Sequence, residues 1–230
     1  MLEKLAIYFI EIANQSIAAN GRCSVALSGG TSPKKLYELL SSAAFNNQVN
    51  WQKMDFFFGD ERNVPVTHKD SNFLMAKIAL FDPLAIDATQ IFAVDTSLEP
   101  TEAAADYTAM INNYFAGKDI CFDLVLLGLG DNSHTASLFP YTPVLQDDTV
   151  AVKAVYLTDQ QVFRITLNAP LINQAKHIAF LVYGAGKAIA VHHVIEDARD
   201  IENYPAQLIN PAHGQVQWFL DEAAAGLIKK

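Results

Sequence analysis

Short, nearly continuous apolar runs recur along the chain, and each ends at or just before a glycine or a polar residue. Such runs are typical of parallel strands that are covered on both faces. The predicted strands are 23–28, 53–59, 90–94, 122–128, 162–167 and 177–184. The predicted helices are 33–44, 71–80, 101–116, 168–175, 185–197 and 219–229, preceded by an amphipathic helix that ends at Gly21. This alternation predicts one doubly wound α/β domain over residues 1–230, with a mostly parallel sheet.

The charge and composition argue against several classes of protein. The formal net charge is −9 and the 16 lysines and arginines are dispersed, which disfavours nucleic acid or an anionic membrane surface as a partner. No uninterrupted apolar stretch approaches the roughly 20 residues that span a bilayer. Cys23 and Cys121 each stand alone, which indicates reduced core thiols and a cytoplasmic location. We expect a soluble monomer or weak homodimer.

The stretch ALSGGTSPKKL passes from a predicted strand through Gly29 and Gly30 into a helix that begins near Ser32 and Pro33. Main-chain N–H groups and the Thr31 hydroxyl converge at the positive end of that helix, which suits an anionic ligand. The glycines would allow a ligand to approach the main chain closely. A plain tight turn uses the same residues, so this motif alone leaves both interpretations open.

The stretch FFFGDERNVP places Asp60, Glu61 and Arg62 where another apolar run ends. Three adjacent charges are typical of a solvated turn. Ligands of open α/β sheets, however, bind beyond the carboxyl ends of the strands, which favours a functional role for these residues.

The stretch GLGDNSHTASLFP, residues 128–140, contains the most informative histidine. Its glycine spacing resembles a dinucleotide-binding fingerprint, but Ser133 replaces the third glycine and the motif lies mid-chain, so dinucleotide binding is not expected. His134 is predicted to open a short helix, whose positive end favours neutral imidazole. Neutral imidazole is the form that a general base needs. A lone histidine is otherwise often an inert polar residue.

Two further features carry positive charge at strand ends or within strands. In LVYGAGKAIA, Lys187 follows two glycines at a predicted helix start, but Ala188 stands where a nucleotide-binding loop has the serine or threonine that holds magnesium. A sugar phosphate bound without metal fits this loop better. Arg164 lies inside the apolar run VFRITL and needs an anionic partner there. The remaining histidines lack the spacing of metal ligands, so neither a metal nor a cofactor is expected.

Several motifs together resemble the 6-phosphogluconolactonase family: SGGTSP, GDERNVP, DSN at 70–72, GLGDNSHTASLFP, RITL, GAGK and YPAQLI. The resemblance implies a three-layer, Rossmann-like α/β fold of the glucosamine-6-phosphate deaminase type. It also implies hydrolysis of a sugar-phosphate lactone, 6-phospho-D-glucono-1,5-lactone, without a cofactor. By position, the resemblance makes His134 the catalytic histidine. It assigns the substrate pocket to Gly29, Gly30, Arg62, Arg164 and Lys187, and we place Thr31 in the same pocket.

Two departures from the family pattern affect these expectations. The family usually has Asp-Gly before the histidine, whereas this chain has Asn132 and Ser133. Asn132 can accept a hydrogen bond from the imidazole but supplies no charge. An orienting charge would then come from Asp131 or from Asp60. The chain also starts within its first helix, so a strand common at the N-terminus of relatives is expected to be absent.

The resulting hypothesis is hydrolysis without metal or covalent catalysis. Neutral His134 takes a proton from water as the water attacks the lactone carbonyl, while N–H groups of the Gly29–Gly30 loop hold the oxyanion. A serine nucleophile is disfavoured because Ser28 and Ser137 lack the surrounding motif. Two alternatives remain open: an isomerase or deaminase of amino-sugar phosphates, and a sugar-phosphate-binding protein without catalysis.

Overall fold

Strands and helices alternate along the chain, as the apolar runs predict. The computed structural model describes residues 1–116 and 118–229. The strands are β1 (Cys23–Leu27), β2 (Met54–Phe58), β3 (Asp60–Arg62), β4 (Leu124–Leu127), β5 (Val152–Leu157), β6 (Val162–Leu167), β7 (His177–Val182) and β8 (Gln215–Leu220). The α-helices are α1 (Leu2–Asn20), α2 (Thr31–Leu40), α3 (Asn72–Ala76), α4 (Pro100–Phe115), α5 (Ala169–Ile172) and α6 (Ala188–Ile195). A five-stranded parallel sheet has the order β2-β1-β4-β7-β8, and a three-stranded antiparallel sheet has the order β3-β6-β5.

The inner strands β1, β4 and β7 of the parallel sheet are buried on both faces, because most of their successive residues are apolar. In β1, Val25 and Leu27 pack in the core that contains α1 and α2, whereas Ala26 belongs to the core on the opposite face. In β4, Leu126 packs in the core that contains α1 and α2, and Val125 packs in the core on the opposite face. The second core also holds residues of α4, α6 and the antiparallel sheet. The structure therefore confirms a mostly parallel sheet with helices on both faces.

The antiparallel sheet is the main addition to the predicted architecture. The predicted strand 162–167 forms β6, but it pairs with β3 and β5 instead of joining the parallel sheet. Tyr156 and Phe163 are direct partners in this sheet, and their rings contact each other at its exposed end. Strand β5 was not predicted, because its half-exposed pattern lacks the continuous apolar signal of the parallel strands.

The predicted strand 90–94 is wrong. Only Ile91 pairs with β2, through a single parallel bridge to Phe56. The buried Gln90 side chain donates to two main-chain oxygens beside β2 and fixes the segment there. These side-chain hydrogen bonds hold the segment at the sheet edge without extending the ladder.

The predicted C-terminal helix 219–229 is also wrong. Its apolar start belongs to β8, where Trp218 stacks on Phe180 of the neighbouring strand with ring centroids 4.0 Å apart. The Asp221 carboxylate then accepts the N–H of Gly184 and an N–H from its own turn. The end of β8 and the turn that Asp221 forms therefore take the place of the predicted helix.

The ends of α1, α2 and α3 are defined by local residues. Gly21 ends α1 in the left-handed conformation, with φ 81°, as predicted. The Ser71 hydroxyl caps α3, and the helix passes into a π-helical turn after residue 76. Helix α2 begins at Thr31, close to the start predicted near Ser32 and Pro33, with Gly30 preceding its first residue.

Membrane-spanning helices and metal clusters are absent from the part of the chain that the structure describes. Within residues 1–116 and 118–229, no helix combines the length and apolar character needed to cross a membrane. The same residues contain no group of three or more His, Cys, Asp or Glu arranged to hold a metal ion. Cys23 and Cys121 are free thiols.

Candidate active site

The carboxyl ends of the parallel strands meet at a cleft of about 380 Å³. Loops after β1, β4 and β7 enter it from the parallel sheet, and β3 and β6 enter it from the antiparallel sheet. Of the predicted site residues, all but Asn132 line this cleft: Gly29, Gly30, Thr31, Asp60, Arg62, His134, Arg164 and Lys187. Residues from five separate loops and strands are therefore brought to one place by the fold.

The imidazole of His134 is held by an aromatic ring and by a glycine. Its ring stacks on Phe139, with centroids 4.0 Å apart and planes 21° apart. A Cβ at Gly130 would lie 2.1 Å from the ring Nδ1, so only glycine leaves room for this ring position. The Gly130 N–H also donates to the main-chain oxygen of His134 at 2.8 Å. Residue 130 must therefore be glycine, because a side chain there would occupy the position of the imidazole.

Asn132 sets the tautomer of His134. The side-chain oxygen of Asn132 accepts the main-chain N–H of His134 at 3.4 Å and also contacts the ring Nδ1. An amide oxygen only accepts hydrogen bonds, so this pattern assigns the proton to Nδ1 and leaves a lone pair on Nε2. Asn132 therefore orients the ring from outside the cleft.

Burial lowers the pKa of the His134 imidazole to about 4. The Asp60 charge acts in the opposite direction, and the Lys187 charge lowers the pKa further. The predicted helix after His134 is absent, because Thr135 and Leu138 form an isolated bridge instead. The imidazole is therefore neutral at physiological pH through desolvation and not through a helix dipole.

The two acidic candidates for an orienting charge are placed differently. The Asp131 side chain is 86% exposed and lies 3.4 Å from the Lys187 Nζ. The Asp60 carboxylate lines the cleft and accepts the Ser137 hydroxyl at 2.7 Å. Asp60 is therefore the carboxylate that is fixed to the histidine loop within the cleft that His134 lines, while Asp131 faces solvent.

Two arginines lie opposite each other in the antiparallel sheet. Arg62 of β3 and Arg164 of β6 are direct partners in the register. Arg62 donates to the main-chain oxygen of Asp70 at 2.6 Å and Arg164 to the Gln160 side-chain oxygen at 2.9 Å, so both these partners are neutral. Burial, and then the charge of Arg62, lower the pKa of Arg164. Like charges placed directly opposite are unfavourable, so this pair is suited to bind an anion.

The start of α2 forms another wall of the cleft. Gly30 adopts φ 98°, which favours glycine, and directs the chain from β1 into the helix. No side chain caps this helix start, and the first N–H groups of a helix have no acceptor within the helix. Gly30, Thr31 and Ser32 line the cleft, so these N–H groups are available to a negatively charged oxygen.

Several residues that shape the cleft were not predicted. The roles of Gly130 and Phe139 could have been suspected only from their place in GLGDNSHTASLFP, since neither is a chemical group of catalysis. Gln160 comes from the β5–β6 hairpin and gave no signal. Ala206 of the YPAQLI motif donates its N–H to the main-chain oxygen of Ser133 at 3.0 Å, which is how that motif supports the histidine loop.

The chain belongs to the family of glucosamine-6-phosphate isomerases/6-phosphogluconolactonase, whose model matches residues 1–218. It is 38% identical to the 6-phosphogluconolactonase of Synechocystis sp., over 97% of this chain and 92% of that protein. It is 40% identical to the 6-phosphogluconolactonase of Nostoc sp., over 91% of this chain and 86% of that protein. The solved 6-phosphogluconolactonase of Trypanosoma cruzi superposes with a TM-score of 0.88 at 28% identity, covering 100% of this chain and 93% of that one.

The geometry around His134 predicts an NMR signature. In ¹H–¹⁵N spectra of the histidine side chains, His134 should remain the neutral tautomer protonated at Nδ1 until the pH falls to about 4. In Gly130→Ala the new Cβ displaces the ring from Asn132 and Phe139, so this signature should be lost. Gly186→Ala is the matched control, because a Cβ there meets no atom within 4 Å. Retention of the wild-type signals in Gly130→Ala would contradict the packing described.

Proposed function

We propose that this protein hydrolyses 6-phospho-D-glucono-1,5-lactone to 6-phospho-D-gluconate, in the oxidative branch of the pentose phosphate pathway. The observation that carries the proposal is the joint presence in one cleft of a neutral histidine with a free Nε2 and of the opposed Arg62–Arg164 pair. The former supplies a base and the latter a site for a phosphate. The names of the related proteins support the same substrate.

The phosphate group of the substrate binds between Arg62 and Arg164. A dianionic phosphate offsets the repulsion between the two guanidinium groups and accepts charge-assisted hydrogen bonds from both. Lys187 lines the same cleft, and its Nζ lies 3.4 Å from the Asp131 carboxylate of the histidine loop, which supports a position near the reacting end. In this arrangement the lactone lies between the arginines and His134, with Lys187 beside it.

The reaction proceeds by general base catalysis. Water attacks the lactone carbonyl carbon while Nε2 of His134 removes a proton from it. The N–H groups of the Gly29–Gly30 loop and of the start of α2 stabilise the oxyanion that forms. The carbon–oxygen bond of the ring then breaks, and the imidazolium returns the proton to the ring oxygen. The Asp60 carboxylate stabilises the imidazolium between these two steps.

Removal of the imidazole should abolish most of the acceleration. We expect His134→Ala to lower kcat/KM roughly 10²- to 10⁴-fold, since this is the contribution typical of a general base. The assay measures opening of freshly prepared lactone above its spontaneous rate. Equal rates for the variant and the wild type would rule out His134 as the base.

The acid limb of the pH profile follows from the lowered pKa of His134. Only the neutral imidazole accepts a proton, so kcat, which does not report the ionisation of the free substrate's phosphate, should stay level as the pH falls and drop only near about pH 4. Asn132→Asp should move this limb to higher pH, because a carboxylate beside Nδ1 stabilises the imidazolium. A wild-type limb centred near the unperturbed histidine value of about 6.5 would contradict the desolvated site.

The phosphate assignment predicts a change that depends on the substrate. Arg164→Met should raise KM for the phosphorylated lactone roughly 10- to 100-fold, since a charge-assisted hydrogen bond contributes about 1.5–3 kcal/mol. Hydrolysis of unphosphorylated glucono-1,5-lactone should be unaffected. Arg199→Met, outside the cleft, serves as the control. A similar loss with both substrates would place Arg164 at the reacting end instead.

Two direct assays separate the alternatives. An isomerase or deaminase of amino-sugar phosphates would release ammonia from glucosamine 6-phosphate, and we expect none. A binding protein without catalysis would bind 6-phosphogluconate without accelerating lactone opening. The intact contact between Asn132 and His134 Nδ1 favours catalysis over that alternative, because the base keeps its orientation without the usual aspartate.

A further inference from the structure

The DSN motif at 70–72 has no part in the catalytic steps above, yet its Asn72 contacts Asp60, which does take part. Asn72 is the first residue of α3 and is 2% exposed. Its main-chain N–H donates to the Glu61 carboxylate at 2.7 Å, which fixes the start of the helix. Its side-chain Nδ2 donates to the main-chain oxygen of Asp60 at 2.8 Å and lies 3.4 Å from the Asp60 Oδ1.

The orientation of the Asn72 amide is determined by these contacts. Exchanging its oxygen and nitrogen would set an acceptor against two acceptor oxygens of Asp60, which is unfavourable. In the orientation observed, the buried Oδ1 has no hydrogen-bond donor among the described residues. A buried acceptor without a donor is uncommon, so the hydrogen bonds made by Nδ2 outweigh its cost.

Gly29 provides the space that this amide occupies. A Cβ at Gly29 would lie 1.9 Å from the Oδ1 of Asn72 and 2.5 Å from its Nδ2. The φ of Gly29 is not positive, so its backbone conformation does not require glycine. The absence of a side chain at Gly29 therefore serves Asn72 as well as the cleft.

The Asp60 carboxylate is held on its other oxygen by the histidine loop. Ser137 donates its hydroxyl to Oδ2 at 2.7 Å, and the Ser137 N–H in turn donates to the Thr166 hydroxyl at 3.2 Å. The two carboxylate oxygens are thus held from two different segments, α3 and the loop that carries His134.

We propose that Asn72 is a positioning residue, which acts by holding the Asp60 carboxylate at a fixed place beside His134. The inference rests on the proposed function, since a fixed negative charge matters most when His134 becomes an imidazolium. Loosening Asp60 should then slow the chemical step with little effect on substrate binding at the arginines.

The first test separates kcat from KM. Asn72→Ala should lower kcat about 10- to 100-fold, the range typical of a misplaced catalytic environment, with KM little changed. Asn168→Ala is the matched control, because Asn168 is also buried and caps α5 with its side chain, away from the cleft. It should lower the melting temperature without lowering kcat. If Asn72→Ala does not fold, the milder Asn72→Ser, too short to reach the Asp60 carboxylate, takes its place.

The second test asks whether Asn72 acts through Asp60. In an Asp60→Asn background, Asn72→Ala should cause little further loss of kcat, because residues that act as a unit are not additive. Full additivity of the two substitutions, or an unchanged kcat in Asn72→Ala, would overturn the inference.

A measurement without substrate keeps this inference distinct from the proposed function. The Asp60 charge raises the pKa of His134, so loosening Asp60 should lower the midpoint of the His134 NMR titration in Asn72→Ala. The other charges that act on this imidazole belong to Asp131, Lys187 and Arg164, which the substitution does not touch. An unchanged midpoint would overturn the inference even if the wild type hydrolyses the lactone. A wild type without lactonase activity would contradict only the proposed function.

Discussion

The inner strands of the parallel sheet have no polar face, and this constraint decides where chemistry can occur. Successive residues of β1, β4 and β7 face two separate apolar cores, so charged side chains are excluded along most of their length. Polar groups can then be placed only where the strands end and the chain turns. The cleft forms at that edge, and its loops are supported by strands that are themselves immobilised by packing. The rigidity of the site thus derives from apolar contacts some distance below it.

The electrostatics of the cleft follow from the same burial. Desolvation keeps the His134 imidazole neutral, while the register between β3 and β6 brings Arg62 and Arg164 together despite their repulsion. Without a substrate both arrangements are unfavourable, because the imidazole is desolvated and the two guanidinium groups repel each other. Under the proposed function each becomes favourable, because the substrate brings a phosphate to the arginines and water gives up a proton to the imidazole. Unfavourable arrangements of this kind are typical of sites for binding and catalysis.

Much of the fold and of the candidate site could be predicted from the sequence, the strands from apolar runs and the cleft from polar residues at strand ends. Continuous apolar runs locate β1, β2, β4 and β7, because a strand buried on both faces has no other pattern. The same signal failed for 90–94, where a buried glutamine side chain replaces ladder pairing, and for β8, whose end and following turn take the place of the predicted helix. Charged and polar residues at strand ends identified the cleft, since topology alone brings those ends together.

Relations between side chains distant in the chain could not be predicted from sequence. The neutral state of His134 was expected from a helix that does not exist, and its actual cause is packing against Phe139 and Gly130. The opposition of Arg62 and Arg164 depends on a strand register that no local pattern encodes. The sequence predicts that Gly29 makes room for a ligand, whereas the atoms that a side chain there would meet first belong to Asn72.

The hydrogen bond from Ala206 to the Ser133 carbonyl also bears on how the molecule reaches its working state. The histidine loop, although encoded near the middle of the chain, is completed by a segment that emerges from the ribosome much later. Contacts of such long sequence separation form late, since the intervening chain must first be ordered. During synthesis, most of the sheet can therefore assemble before the histidine loop is locked. The histidine loop therefore gains this support only after the YPAQLI segment has been synthesised and has folded against it.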